Sequence, residues 1–299
     1  MTDSNLKLTI FTPTYNRAKT LSRLYQSLLR QTNFDFEWLI INDGSVDDTD
    51  ELVSEWKQTN PPFSINYYSQ ENQGLIRTLN RGIQLANGTY IVKMDSDDYV
   101  VEDFSETVIT WIRSIEGLSD IYGVGGLRIN PKGEPLRGEW PDIPAQLGYR
   151  DATDLERNKY RLDADMTEAW RTDVLRAHPF PVWPGEKFAP EQIVFFDIAL
   201  EKLKIRWFLK PLTICEYRED GLTKGSFQLE KDNPMGFAMM YNQRLKYTER
   251  LKDRFMTACQ LTALSAVGHN LNYLLKSNDL VMTFWSLIPG LLLSIRCFS

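Results

Sequence analysis

The feature that most constrains this chain is a change of hydrophobic period that recurs through its first hundred residues. "LKLTIFT" (6–12), "EWLIIND" (37–43), "SINYYS" (64–69) and Thr89–Met94 are short and rich in strand-forming residues. The segments between them have helical period. In "RAKTLSRLYQSLLRQ" Leu21, Leu24, Leu28 and Leu29 recur at helical spacing, "SVDDTDELVSEWKQ" opens with acids as a helix start prefers, and Leu75–Ala86 predicts a third helix. Strands alternating with helices predict a parallel sheet covered by helices, an α/β fold. Each strand ends in a polar loop: "TPTYN", "NDGSVDD", "QENQG" and "DSDD". Ligands of open α/β sheets bind beyond the carboxyl ends of the strands, so these four loops predict one pocket.

The last loop poses an electrostatic problem. "YIVKMDSDDYV" sets Asp95, Asp97 and Asp98 at the end of a buried strand, where their repulsion costs stability unless a cation, a set of donors or solvent compensates it. A metal site and an acidic helix N-terminus both account for such a run. In "NDGS", Gly44 permits a tight turn that leaves Asp43 at a strand tip, able to accept an N–H from a ligand or to cap the next helix. In "NQGLIRTLNRG", Gly74 and Gly82 allow close backbone approach, and Arg77 stands one helical turn from Gly74. That guanidinium could reach an anion or make a surface salt bridge.

Taken in order, "FTPTYNRAKTLSRLYQSL", "WLIINDGSVDDT" and "QENQGLIRTLNRGIQLANGTYIVKMDSDD" resemble the nucleotide-sugar-binding half of the family-two glycosyltransferases over roughly residues 7–100. "PGEKFAPEQ" and "EYREDGLTKG" are similar to segments of bacterial members that build capsule and other surface polysaccharides. The resemblance implies a GT-A fold, a Rossmann-like nucleotide-sugar-binding mixed sheet, with a helical C-terminal extension. It implies Mg²⁺ or Mn²⁺ held by Asp97 and Asp95, oxygen ligands that suit hard ions, with Asp95 also the ribose or sugar contact. Asp43 would accept the imide N–H of uracil, Thr12, Pro13 and Tyr15 would line the base pocket, and Arg77 would reach the nucleotide or diphosphate. Arg218 and Lys224, on a glycine-containing loop, would neutralise the departing diphosphate.

The implied reaction is an inverting transfer of a single sugar from a UDP-sugar to a hydroxyl of a glycan or polyprenyl-diphosphate-linked acceptor. Glu191, at the start of the helix after Pro190, occupies the place of the base that removes the acceptor proton. The family often has an acidic pair there, whereas this chain has Glu191-Gln192, and Glu186 is a competitor. Processive synthases carry Gln-x-x-Arg-Trp and membrane spans; here Arg206-Trp207 occurs but Leu203 stands at the glutamine position, which predicts single addition. A sugar nucleotidyltransferase would want a glycine-rich basic loop after the first strand, and "TPTYNRAK" has no glycine. A non-catalytic sugar-binding or scaffolding protein stays open through the incomplete acidic pair.

Further along, residues 131–148 hold four prolines and three glycines and predict a loop or lid. A helix beginning at Pro190, two short strands "IRWFLK" and "LTICEYR", and helices from about Pro234 to Lys276 with an interruption at Gly268 complete the expectation. We expect a catalytic domain over 1–230, with the donor half in about 1–100, and a helical region over 231–299. The net charge of −6 argues against a protein that coats nucleic acid. Residues 231–299 nevertheless carry eight basic residues against four acidic ones, leaving −10 to the first 230. Cys215, Cys259 and Cys297 lack metal-like or redox-like spacing and read as reduced; His178 and His269 have no metal-like companions. The start, "MTDSNLKLTIFTPTY", is not a secretory signal, so a cytoplasmic protein is expected. Leu280–Ile295 is an uncharged run of sixteen residues, short of the about 20 needed to span a bilayer and broken by Pro289-Gly290. With the five basic residues of Arg244–Arg254, it suggests a peripheral surface for anionic lipid at the inner face of the plasma membrane. The alternatives are a helical subdomain with its apolar faces inward, or a contact between copies of the chain.

Overall fold

The computed structural model describes residues 7–136, 140–162, 165–216 and 226–298. The chain forms two compact units, Met1–Pro179 with Ile198–Tyr217, and Phe180–Asp197 with Arg218–Ser299. Segment 180–197, which precedes residue 230, thus clusters with the C-terminal helices.

The first unit opens with β1 (Leu8–Thr14), α1 (Ala18–Leu29), β2 (Phe36–Asn42), α2 (Thr49–Gln58), β3 (Ser64–Ser69), α3 (Leu75–Leu85) and β4 (Tyr90–Lys93). The alternation is the one read from the periodicity, with boundaries shifted by a residue or two. It continues through β5 (Tyr99–Val100), α4 (Phe104–Ser114), β6 (Ile121–Ile129), β7 (Tyr149–Ala152), β8 (Met166–Arg171) and α5 (Thr172–Ala177). After α6 (Gln192–Leu200), β9 (Lys204–Ile214) closes the sheet. Strand order is β3-β2-β1-β4-β8-β6-β9-β5, with β7 on β9. The first four strands are parallel, β8 runs antiparallel between β4 and β6, and β9 is parallel to β6. The result is a mixed α/β sheet.

Burial explains the central strands. All seven residues of β2 are buried, as expected of a parallel strand covered on both faces. Beneath α1 and α2, Tyr25 stacks on Trp56 at 4.3 Å and on Trp38 at 5.9 Å between ring centroids. On α3, Gly82 lets the helix lie close to β1, because a Cβ there would lie 2.3 Å from the ring of Phe11.

Two expectations are corrected. "IRWFLK" and "LTICEYR" are one strand, β9, because β6 pairs with it on both sides of an irregularity, Gly125 with Trp207 and then Leu127 with Pro211. The shift accommodates a proline that has no N–H for the ladder. Helix α6 begins at Gln192, so Glu191 immediately precedes it.

The second unit contains α7 (Ser226–Asp232), α8 (Pro234–Arg244), α9 (Leu251–Val267) and α10 (Leu280–Phe298). Met235, Ala238, Leu245, Ala258, Leu261 and Leu264 form its core. α9 ends at Gly268, whose N–H donates to the Leu264 carbonyl at 2.8 Å. Contrary to expectation, Pro289-Gly290 does not break the apolar run: α10 is continuous with Pro289 inside it. Proline forfeits one backbone bond there, while Gly290 allows the helix to lie directly on Thr262 of α9. Among the described residues no helix is long and apolar enough to cross a membrane.

Candidate active site

The carboxyl ends of β2, β1 and β4 are neighbours in the sheet, and the loops leaving β1 and β2 are bound to one another. The Asp43 N–H donates to the Thr14 carbonyl at 2.9 Å. The Asn16 N–H donates to Ser45 Oγ and the Val46 N–H to Asn16 Oδ1, both at 2.9 Å, while the Ala18 N–H donates to Asp47 Oδ2 at 3.0 Å. Asn16 sits at φ 53°, a left-handed conformation that asparagine tolerates.

Asp43 is only 5 % exposed and is heavily engaged. Its Oδ1 accepts from Gln70 Nε2 at 2.7 Å and the Gln73 N–H at 2.9 Å, and its Oδ2 from the Gly74 N–H at 2.8 Å. Asp43 therefore holds the turn that leads into α3, the helix after the neighbouring strand, and not the helix that follows it in sequence. A carboxylate offers about four lone-pair sites, so one, on Oδ2, remains. Gly44 turns the chain at φ 81°, and Gly74 presents its N–H from φ 90°. Arg77 Nη1 donates to the Gln73 carbonyl at 3.1 Å, which puts the guanidinium on the same turn that Asp43 organises.

The β1 residues divide. Thr12 is fully buried, its Oγ1 accepting the Trp38 indole N–H at 3.0 Å in the core. Pro13 is half-buried, and Tyr15 is 49 % exposed at the strand tip. Thr14, which sequence reasoning passed over, is buried with its Oγ1 unpaired among the described residues, a polar group that a ligand at the strand tips could satisfy.

The acidic loop is largely compensated from within. Arg128, near the end of β6, places Nη1 3.0 Å from Asp95 Oδ2 and 3.4 Å from Asp98 Oδ2, and Lys93 Nζ lies 3.5 Å from Asp95 Oδ1. Burial would raise the Asp95 carboxyl, but Lys93 and Arg128 outweigh it and hold the group at about 2. Asp98 is raised to about 6, mainly by burial, which Arg128 opposes and the charge of Asp95 reinforces. The Arg128 guanidinium is pushed above its ordinary range: burial works against its charge, and Asp95 and Asp98 more than offset that. Among the described residues the Asp97 carboxylate makes no hydrogen bond or ion pair, while its main-chain carbonyl accepts from Arg23 Nη2 at 2.5 Å. Arg23 also pairs with Glu216 at 2.6 Å and lies 4.8 Å from the Tyr99 ring centroid. Of the cation, donors or solvent that could reconcile the three acids, donors of the protein itself serve Asp95 and Asp98, which leaves the Asp97 carboxylate. Neither arginine was singled out in the sequence; an arginine closing the glycine-rich apolar strand "IYGVGGLRIN" was the available signal for Arg128.

No group of three or more histidine, cysteine or acidic side chains suited to a metal occurs among the described residues. The site still fits a hard divalent ion, since Mg²⁺ is usually held by one or two carboxylates, with phosphate and water supplying the rest. Asp97, flanked by Asp95, offers that set.

In the second unit, Glu186 and Glu191 have different environments. Glu186 accepts the Met235 N–H at 2.8 Å and the Gly236 N–H at 2.7 Å, capping α8. Burial raises its carboxyl against the lowering effect of those bonds. Asn233 Oδ1 accepts the Lys187 and Phe188 N–H groups at 3.0 and 2.9 Å. The segment leading to Glu191 is thereby clamped to the start of α8, and a Cβ at Gly236 would lie 2.3 Å from the Phe188 carbonyl oxygen. Glu191 is half-buried. Arg218 and Lys224 lie outside the described residues. Arg206 grips Asp151 at 2.7 and 2.8 Å, and the Trp207 indole donates to the Ala152 carbonyl at 3.2 Å, so this pair is structural.

A parallel half-sheet with polar strand tips, continued by a half of mixed strand direction, is a GT-A arrangement, and solved glycosyltransferases share it. Staphylococcus aureus TarS 1-349 in complex with UDP-GlcNAc aligns with 98 % of this chain and 82 % of its own, at a TM-score of 0.62 and 17 % identity. The mannosyltransferase PcManGT of Pyrobaculum calidifontis, in complex with GDP-Man and Mn²⁺, covers 97 % and 80 % at a TM-score of 0.55 and 14 % identity. Residues 9–153 match the model of glycosyl transferase family 2, and the chain carries a domain of that family. Chondroitin synthase of Pasteurella multocida is 33 % identical over 138 residues, 46 % of this chain and 14 % of that protein. The uncharacterized glycosyltransferase YibD of Escherichia coli K12 is 34 % identical over 110 residues, 37 % of this chain and 31 % of that protein. The matched segment spans under a third of these curated relatives.

Proposed function

We propose that this protein is a metal-dependent inverting glycosyltransferase that moves one sugar from a UDP-sugar to a hydroxyl of a glycan or lipid-linked glycan during surface polysaccharide synthesis. The observation that carries this reading is the contrast of two unlike carboxylates in the loops after the strands that flank β1: Asp43, locked and nearly saturated, and Asp97, unengaged among the described residues. A saturated carboxylate with one open lone pair suits a directional contact, the uracil imide N–H. An unengaged one suits an ion.

In this reading Tyr15 stacks on the base and Arg77 meets the nucleotide. Mg²⁺ or Mn²⁺, when bound at Asp97 and Asp95, neutralises diphosphate charge as a Lewis acid. Arg128 and Lys93 hold Asp95 ionised. Glu191 removes the proton of the attacking hydroxyl, a role for which Glu186 is disfavoured because both its oxygens cap α8. Arg218 and Lys224 stabilise the leaving diphosphate. In this reading the enzyme works in the cytoplasm, at the inner face of the membrane, where a polyprenyl-diphosphate-linked acceptor would be met. Thermal-shift titration with nucleotide sugars, with and without Mn²⁺, tests the reading. UDP-sugar plus Mn²⁺ should raise the unfolding midpoint, and Asp97→Asn should abolish the Mn²⁺-dependent part while leaving the free protein's midpoint unchanged. A variant with full Mn²⁺-dependent turnover would overturn the metal assignment.

A further inference from the structure

Helix α10 is packed inside out for a helix in water. Thr283, Ser286 and Gly290 face α9: Thr283 and Ser286 are 3 % and 0 % exposed, and the Ser286 and Thr262 hydroxyls lie 3.0 Å apart. A Cβ at Gly290 would lie 2.5 Å from Thr262 Cβ. The large side chains take the opposite side. Val281, Phe284, Trp285, Ile288 and Leu292 are between 62 % and 74 % exposed. At about 100° per residue they fall within an arc of about 100°, one continuous apolar stripe. Small residues between helices and large ones outward is the arrangement used where the outer medium is hydrocarbon, and an exposed stripe of this extent marks a contact surface.

Charge selects the partner. Within 276–299 the one acid is Asp279, and its carboxylate is buried against Arg254. Exposed Lys276 precedes the helix by four residues and exposed Arg296 lies in its last turn, so the stripe is flanked in sequence by a cation on each side. Cations at both ends complement anionic headgroups, whereas two copies paired antiparallel along the stripe would bring Lys276 of one against Arg296 of the other. Trp285 and Phe284 suit the boundary between headgroups and acyl chains.

We propose that α10 docks on an anionic bilayer surface, lying in the interface with its stripe toward the acyl chains and Lys276 and Arg296 among the headgroups. This names the surface for the membrane placement proposed above and rests on that reading only for which face of the membrane is met. The test is flotation of the full chain with vesicles of mixed phosphatidylcholine and phosphatidylglycerol, in low and high salt, beside Phe284→Gln/Ile288→Gln. Both side chains are exposed, so circular dichroism and the unfolding midpoint of the double variant should match the parent. The parent should float, with binding weakened but retained in high salt, and the variant's partitioning should fall at least about tenfold. Equal flotation of parent and variant, or complete loss of parent binding in salt, would overturn the proposal. So would a parent that ignores vesicles and sediments as a dimer that the variant dissociates. Flotation needs neither donor nor acceptor, so its failure leaves the transfer reading standing.

Discussion

Replacing Asp43 by asparagine separates the two tasks its carboxylate performs. Three donors converge on it, Gln70 Nε2, Gln73 N–H and Gly74 N–H, in a site 5 % exposed. The best orientation of an asparagine amide keeps oxygen toward Gln70 and Gln73 and turns its NH₂ toward the Gly74 N–H, a donor facing a donor. One hydrogen bond to a charged group is lost, at about 1.5–3 kcal/mol. The remaining two become neutral bonds roughly half as strong, a further ~1 kcal/mol together. The sum, about 2.5–4 kcal/mol, is a large fraction of ordinary domain stability. Urea unfolding without nucleotide, followed by tryptophan fluorescence, should show a lower midpoint at unchanged slope, and calorimetric titration should show weakened UDP binding. If stability stays within about 0.5 kcal/mol of the parent, the three bonds carry little energy and the reasoning from saturation is refuted.

The other perturbations concern the second unit. Glu186→Ala should destabilise it by about 1–3 kcal/mol by uncapping α8, whereas Glu186→Gln should keep turnover within about tenfold while Glu191→Gln loses at least about a hundredfold. Turnover abolished by Glu186→Gln alone would exchange the two roles. The Asp279 carboxyl is held below its ordinary 3.8: burial pushes it up, but the Met282 N–H and Arg254 outweigh that. Its folded value lies under the unfolded one, so its stabilisation is complete above about pH 4 and lost as pH falls through the folded value. Asp279→Asn should flatten the acid limb of the stability curve, and superimposable limbs would contradict the assignment. Gly290→Val should cost about 1–3 kcal/mol by calorimetry through collision with Thr262, and an unchanged unfolding midpoint would mean that α10 does not rest on α9.

The alternation of β1 to β4 with three helices was legible because burial imposes a period on apolar side chains, and periods survive in one dimension. The polar strand tips were legible for the same reason, since parallel topology gathers the ends of strands that are far apart in sequence. Asp43 and Asp97 could accordingly be singled out from the chain alone, but not what they touch. Only the tertiary structure brings Arg128 from β6 to Asp95 and Asp98, turns Thr12 toward Trp38, commits Glu186 to α8 and joins two apparent strands into β9. It also decides that the large residues of α10 face outward while its small ones face α9. Local propensity and period are properties of neighbouring residues and can be read in order. Which charge compensates which, and which face of an apolar helix is covered, depend on partners tens to a hundred residues away, whose approach is set by the packing of the whole chain.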